Sequence, residues 1–125
     1  MVMVVNQGLE YQARYTNQET AGSWKWMALG SGSTAEGSGQ TALVTEITTN
    51  GGERALATLG YEASYKSTWV KVFAFTGAAT VRECGIFDII TASSGHMLMR
   101  HVFAGDKVMG NGDTLQVTMK LTQSA

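Results

Sequence analysis

The stretch that most narrows the possible folds runs from Arg82 to Thr122. It reads RECGIFD, a Ser-Ser-Gly turn, MLMRHVFAG, a Gly-Asn-Gly-Asp turn and TLQVTMKLT. Strand-like segments separated by residues that tolerate positive φ point to antiparallel hairpins. The last segment alternates strictly, with Leu115, Val117, Met119 and Leu121 on one face and Thr114, Gln116, Thr118 and Lys120 on the other. A period of two is that of a half-buried strand.

The rest of the chain follows the same style. It has no proline and 15 glycines, so turns fall to Gly, Asn, Asp and Ser. Trp24–Leu29 reads as a strand, with Trp24, Trp26 and Ala28 facing one way and Lys25, Met27 and Leu29 the other. Glu53–Leu59, Tyr61–Phe75, Val81–Ile90 and Met97–Phe103 read as further strands. Thr41–Thr49 is either a strand or an irregular segment, and Asn50-Gly51-Gly52 is a turn. Apolar residues on both faces of Tyr61–Phe75 predict a central strand, or one whose outer face meets a partner. Gly30–Gln40, GSGSTAEGSGQ, has almost no large side chains and is expected to be a loop that carries no core. Asn6 reads as an N-cap for one short helix over Gln7–Tyr15, in which Leu9 and Ala13 share a face. Alternation of Leu9, Tyr11, Ala13 and Tyr15 keeps a strand as the competing reading.

At 125 residues the chain is expected to be a single domain, 1–125, with residues 1–6 as an N-terminal arm and 30–40 as a Gly/Ser-rich loop. The fold class expected is mainly β: an antiparallel β-sandwich, jelly roll or immunoglobulin-like Greek key, with one short N-terminal helix. The Cys…Trp…Cys spacing of true immunoglobulin domains is missing.

Composition excludes several functions. Charged residues make up 15% of the chain, the net charge is −1, and Lys and Arg are scattered without a basic stripe, so no nucleic-acid partner is expected. No apolar run approaches the roughly 20 residues that cross a bilayer. MVMVV is too short for a signal peptide and has no basic residues before it, so synthesis in the cytoplasm is expected. Cys84 stands alone, which removes an intramolecular disulfide and a Cys-rich metal site. Flanked by Glu83 and Gly85 in an apolar strand with no base nearby, it reads as a small buried hydrophobe.

His96 and His101 are five apart, so a strand would send them to opposite faces, His96 near the turn and His101 on the sheet surface. Asp106, Asn111 and Asp113 do not match a calcium loop and lack its closing Glu. Gly30–Gly39 lacks the Gly-Lys-Ser/Thr ending of a phosphate loop and reads as a mobile surface loop, or an arm that orders on a neighbour. Asp88, Ser94 and His96 supply triad residue types without a nucleophile-elbow motif. No enzyme activity, cofactor or metal is therefore expected. Trp24, Trp26, Trp69, Tyr61 and Tyr65 exceed what a small core needs. Either they fill that core, or some of them form an interface, where aromatic residues are enriched.

Seven stretches together resemble small virion proteins of tailed bacteriophages: Asn6–Ala13 (NQGLEYQA), Met27–Ala35 (MALGSGSTA), Thr41-Ala42-Leu43, Phe73–Thr80 (FAFTGAAT), Val81–Phe87 (VRECGIF), Met97–Phe103 (MLMRHVF) and Gly112–Leu121 (GDTLQVTMKL). In that family an xALGxGxTA turn, an REaGLF strand and a closing DTLxVTxxL strand recur in this order. Cys84 stands where a small residue such as Ala is usual, and Glu53–Tyr65 matches poorly. The resemblance implies a β-sandwich in a virion, most simply a capsid decoration or cement protein whose partners are the major capsid protein and itself, as a homotrimer. A tail-fibre, head-fibre or tail-tip/collar part is the alternative. A soluble carbohydrate-binding module using exposed tryptophans is a third reading. The expected contact residues are Met1, Val2, Met3, Val4 and Val5 of the arm, Ser31, Ser33 and Thr34 of the loop, and Trp24, Trp26 and Trp69.

Overall fold

A computed structural model describes residues 2–123. The elements are β1 (Val2–Val4), α1 (Asn6–Thr16), β2 (Trp26–Gly30), β3 (Ala55–Leu56), β4 (Thr58–Glu62), β5 (Lys66–Ala74), β6 (Ala79–Phe87), β7 (Met97–Met109) and β8 (Thr114–Thr122). They form two antiparallel sheets, one of five strands in the order β1-β7-β6-β2-β3, the other of three in the order β4-β5-β8. The protein is mainly β with one helix near its N-terminus, as the periodicities predict, and its two sheets face one another across a shared core in the manner of a sandwich.

The backbone of the architecture is one long antiparallel ribbon bent across both sheets. Pairing keeps a constant register from Lys66↔Thr122 through Ala74↔Thr114 in the small sheet to Ala79↔Met109 and Val81↔Lys107 in the large one. At the bend, Phe75 N–H donates to the Asp113 carbonyl and Gly112 N–H to the Phe75 carbonyl, both at 2.8 Å. The Asp113 carboxylate accepts the Gly110 N–H at 2.7 Å and closes the Gly-Asn-Gly-Asp turn. Beyond Val81 the register slips, because residues 103–106 of β7 bulge opposite Arg82. Arg82 Nε reaches Asp106 across that bulge at 3.0 Å.

The alternation read from the sequence sorts side chains as expected in the strands of the ribbon. Trp69, Phe73, Phe75, Val117 and Met119 of the small sheet meet Met27, Leu29, Val81, Cys84, Ile86 and Met99 of the large one. Lying between β7 and β2, β6 is covered on its other face as well. There Phe87 packs with Val5, Ala28, Leu43 and Met97 in a second cluster. β5 is the central strand of the small sheet, yet its outer face is open: Val72 and Ala74 are exposed.

Three expectations are corrected. The segment after Gly30 is no free loop: with residues 41–54 it is tied to the large sheet, its chain pairing along the end of β2 through Ser31 N–H to the Thr45 carbonyl (2.8 Å) and Ile47 N–H to the Leu29 carbonyl (2.8 Å). Residues 2–6 are no free arm either. Val2–Val4 pair with β7, and Val5 is fully buried with its N–H on the Leu98 carbonyl. The apolar VMVV segment supplies a sheet edge and a core residue because hydrophobic burial outweighs chain-end freedom. Asn6 is the first residue of α1, not its cap: Val5 occupies the N-cap position with no side-chain hydrogen bond, and Asn6 N–H donates to the Ser38 carbonyl. Leu9 and Ala13 do share a face of α1, and it is turned to solvent, while the docked stripe is Gly8, Tyr11, Gln12 and Tyr15. Gly8 decides this, since a Cβ there would sit 2.2 Å from the Leu98 carbonyl oxygen. Only a glycine lets the helix approach β7 so closely.

Candidate functional site

Each of two neighbouring strands carries one buried charge, and the two are of opposite sign. Glu83 on β6 and Arg100 on β7 are diagonal neighbours, Gly85 being the register partner of Arg100. Both side chains are fully buried, and Arg100 Nε donates to Glu83 Oε1 at 2.8 Å. The remaining carboxylate lone pairs accept backbone N–H groups from the covering segment: Gly32 (2.9 Å), Val44 (2.9 Å) and Thr45 (2.8 Å). Arg100 Nη1 donates to Gln40 Oε1. Arg100 Nη2 has no protein partner among the described residues. A Cβ on Gly32 would stand 2.6 Å from the Glu83 carboxylate, so glycine is what admits the segment to this contact.

This hub has a counterpart. Arg54 donates from Nη2 and Nε to both Glu46 oxygens (2.8 and 3.1 Å) and from Nη1 to the Ile89 and Ser94 carbonyls. Its guanidinium lies 3.7 Å from the Phe87 ring centroid. Both networks bind irregular segments to the sheet. In the sequence their signal is a charge embedded among apolar residues, as Glu83 is in VRECGIF and Arg100 in MLMRHVF, which demands an opposite partner once buried.

The structure does bring Asp88 and His96 together. His96 Nδ1 lies 2.6 Å from Asp88 Oδ2, the Tyr15 hydroxyl donates to the same oxygen at 2.6 Å, and the His96 N–H donates to Oδ1 at 2.8 Å. Tyr11 stacks on the His96 ring with centroids 3.6 Å apart. Burial pushes the Asp88 carboxyl up, but the Tyr15 hydroxyl and the His96 amide and ring together outweigh it and hold it below the usual carboxylate range. Burial, then the bond to Asp88, raises the Tyr15 phenol. The third triad type, Ser94, uses its carbonyl to accept Arg54, and the group ties α1 to the β6–β7 turn. The Cys84 thiol is pushed up to about 12 by burial, with Glu83 adding to the shift, which leaves it a poor nucleophile.

A cleft of about 270 Å³ opens between α1, the Gly22–Trp24 segment and the inner face of the small sheet. Tyr15, Trp24, Trp69 and Leu121 form its apolar wall, with Gln12, Ser67 and Gln123 among its polar groups. The wall is braced internally: Trp24 Nε1 donates to Gln12 Oε1 at 2.6 Å, and Trp69 Nε1 to the Trp24 carbonyl at 2.8 Å.

The expected contact residues divide by exposure. Val5, Trp24 and Trp69 are buried within the chain and are corrected from interface to core. Trp26 is half-buried against the second cluster. Val2, Met3 and Val4 are half-buried on the outermost strand, Ser31 is half-buried with its carbonyl accepting Arg82, and Ser33 and Thr34 are exposed. Met1 lies outside the described residues. His101 is half-buried with Nδ1 3.9 Å from Glu36, rather than on an open sheet surface. Among the described residues, no three His, Cys, Asp or Glu side chains converge as metal ligands, and no helix is long and apolar enough to cross a membrane. No family model and no curated protein sequence matches the chain.

Proposed function

We propose that this chain is a structural protein of a tailed-bacteriophage virion and that it decorates the outer capsid shell, bridging neighbouring capsid subunits. The observation that carries the assembly reading is the open edge of β8. Nine residues, Thr114–Thr122, pair with β5 on one side and with no strand on the other. Lys120 is the one charge along that edge. Natural sheets blunt such edges with charge, proline or cover, because an open edge is a template for another chain's strand. Here the template is left in place, and a second copy or a capsid subunit is its natural occupant.

The stretches that resemble the phage family are also used as scaffold. Glu83 of VRECGIF, Arg100 of MLMRHVF and Gly32 of MALGSGSTA meet in one buried network beside Thr41-Ala42-Leu43. This supports an architectural inheritance and not a catalytic one. In the proposed role the protein is made in the host cytoplasm and binds only the assembled lattice, which stabilises it by mass action. A homotrimer at threefold positions would touch several subunits at once and gain avidity. The β1 edge and the exposed Ser33 and Thr34 are its remaining lattice contacts.

The test is the copy number of this protein relative to the major capsid protein in purified particles. Hundreds of copies per particle are expected for decoration. A few tens or fewer would transfer the chain to tail fibre, head fibre or collar, and absence from particles would overturn both virion roles.

A further inference from the structure

The cleft beneath α1 has a chemistry that the scaffold does not require. Its wall among the described residues holds no carboxylate, ammonium or guanidinium group. An anion or cation would enter it without a compensating charge, which is costly. What the wall offers instead is aromatic surface beside amides and hydroxyls. No hydrogen bond within the described chain takes up the side chains of Ser23, Ser67 or Gln123. Gln12 spends its carbonyl oxygen on Trp24 and keeps its amide N–H groups. Amides and hydroxyls donate and accept side by side, the pattern that matches vicinal hydroxyl groups, while the exposed Tyr61 ring, beside Ser67, can accept the C–H face of a saturated ring.

Geometry supports the same ligand class. The inner face of the small sheet continues past the cleft: Tyr61, the register partner of Ser67, is 72% exposed, and Leu59, the partner of Trp69, is 50% exposed. A second recess of about 300 Å³ adjoins the cleft and shares Tyr15 and Gly22 with it. Small-molecule sites begin at roughly 300 Å³, so the two together admit more than one ring. The braces on Gln12, Trp24, Trp69 and Tyr15 fix the wall before any ligand arrives, which lowers the ordering cost of binding.

From this juxtaposition of an uncharged polar wall, braced in place, and an exposed tyrosine platform beside it, we infer that the cleft binds a neutral oligosaccharide. The inference does not depend on the virion role: a glycan site would serve a decorated shell or a soluble module equally.

The experiment titrates the purified chain with chitotriose, maltotriose, cellotriose and lactose while following tryptophan fluorescence, for which Trp24 and Trp69 are reporters inside the wall. One neutral sugar is expected to give a saturable shift in the range of about 0.1–10 mM, typical of a few polar contacts and a stacked ring. Ser67→Phe, which fills the cleft from a strand position that favours aromatic residues, should weaken it about tenfold or more at unchanged melting temperature. Gln123→Ala, beyond the end of β8, supplies a second variant that leaves the sheet untouched and should weaken binding several-fold. Absence of a saturable shift with all four sugars, or equal affinity in both variants, would overturn the inference. So would a preference for a sialylated or phosphorylated sugar over its neutral parent.

Discussion

At the scale of single residues, the protein's irregular segments hang on charges buried beside apolar side chains. Glu83 satisfies Arg100 and three backbone amides at once, so its loss has two consequences: an uncompensated guanidinium and three orphaned donors. Glu83→Gln should cost about 3–5 kcal/mol in urea unfolding at pH 7, the range for breaking a buried pair. Glu83→Gln with Arg100→Met should recover part of that loss, because no charge is then stranded. Asp88 gives a pH signature. Its carboxyl titrates lower folded than unfolded, so its contribution is complete above the unfolded value of about 3.9 and fades as pH falls through the folded one. Asp88→Asn should therefore be less stable than the parent at pH 7. The gap should close as denaturation is repeated from pH 5 down to pH 2, and a gap independent of pH would contradict the assignment.

Among elements, the helix and the last strand show how local pattern and packing divide the work. The propensity of Gln7–Tyr15 is enough to predict α1, but its docked face follows from Gly8 against the Leu98 carbonyl. Gly8→Ala should lift the helix off β7 and cost about 1–3 kcal/mol, the usual range for overpacking. Gly39→Ala, whose Cβ would meet nothing within 4 Å, should leave the melting temperature nearly unchanged. The open edge of β8 makes a separate prediction about association. Thr118 is exposed on the outer face of β8, and placing lysine at Gln116 and Thr118 adds charge along an edge that has one. If strand addition holds copies together, this double variant should shift sedimentation toward the monomer while the monomer's melting temperature stays within a few degrees. An unchanged sedimentation profile would remove β8 from the interface.

Across the whole molecule, a ribbon that keeps one register through both sheets leaves neither sheet able to unfold alone. Thermal unfolding should be a single transition, with tryptophan fluorescence and far-ultraviolet circular dichroism giving the same midpoint. The strands at β2, β6 and β8, the Gly-Asn-Gly-Asp and Asn-Gly-Gly turns and the inward rows of β5 and β8 were legible in the sequence, because a period of two and turn chemistry act over a few residues, whereas the β4–β5 hairpin within Tyr61–Phe75 and the run of β7 to Met109 were not. Asp88 and His96 were legible only as residue types, since the seven residues between them decide whether they touch. Gly30–Gln40 was rightly read as a loop without core side chains, but its docking was not legible for the same reason: the backbone N–H of Gly32 satisfies a buried carboxylate 51 residues away. By itself, then, the sequence determined a mainly β, antiparallel chain with one helix, through interactions between near neighbours. Tertiary structure alone decided that Val5, Trp24 and Trp69 are core, that Glu83 finds Arg100, that a neutral cleft opens under α1 and that one edge of β8 stays without a partner strand among the described residues. Those outcomes depend on which distant segments exclude water from one another, and no local period encodes that.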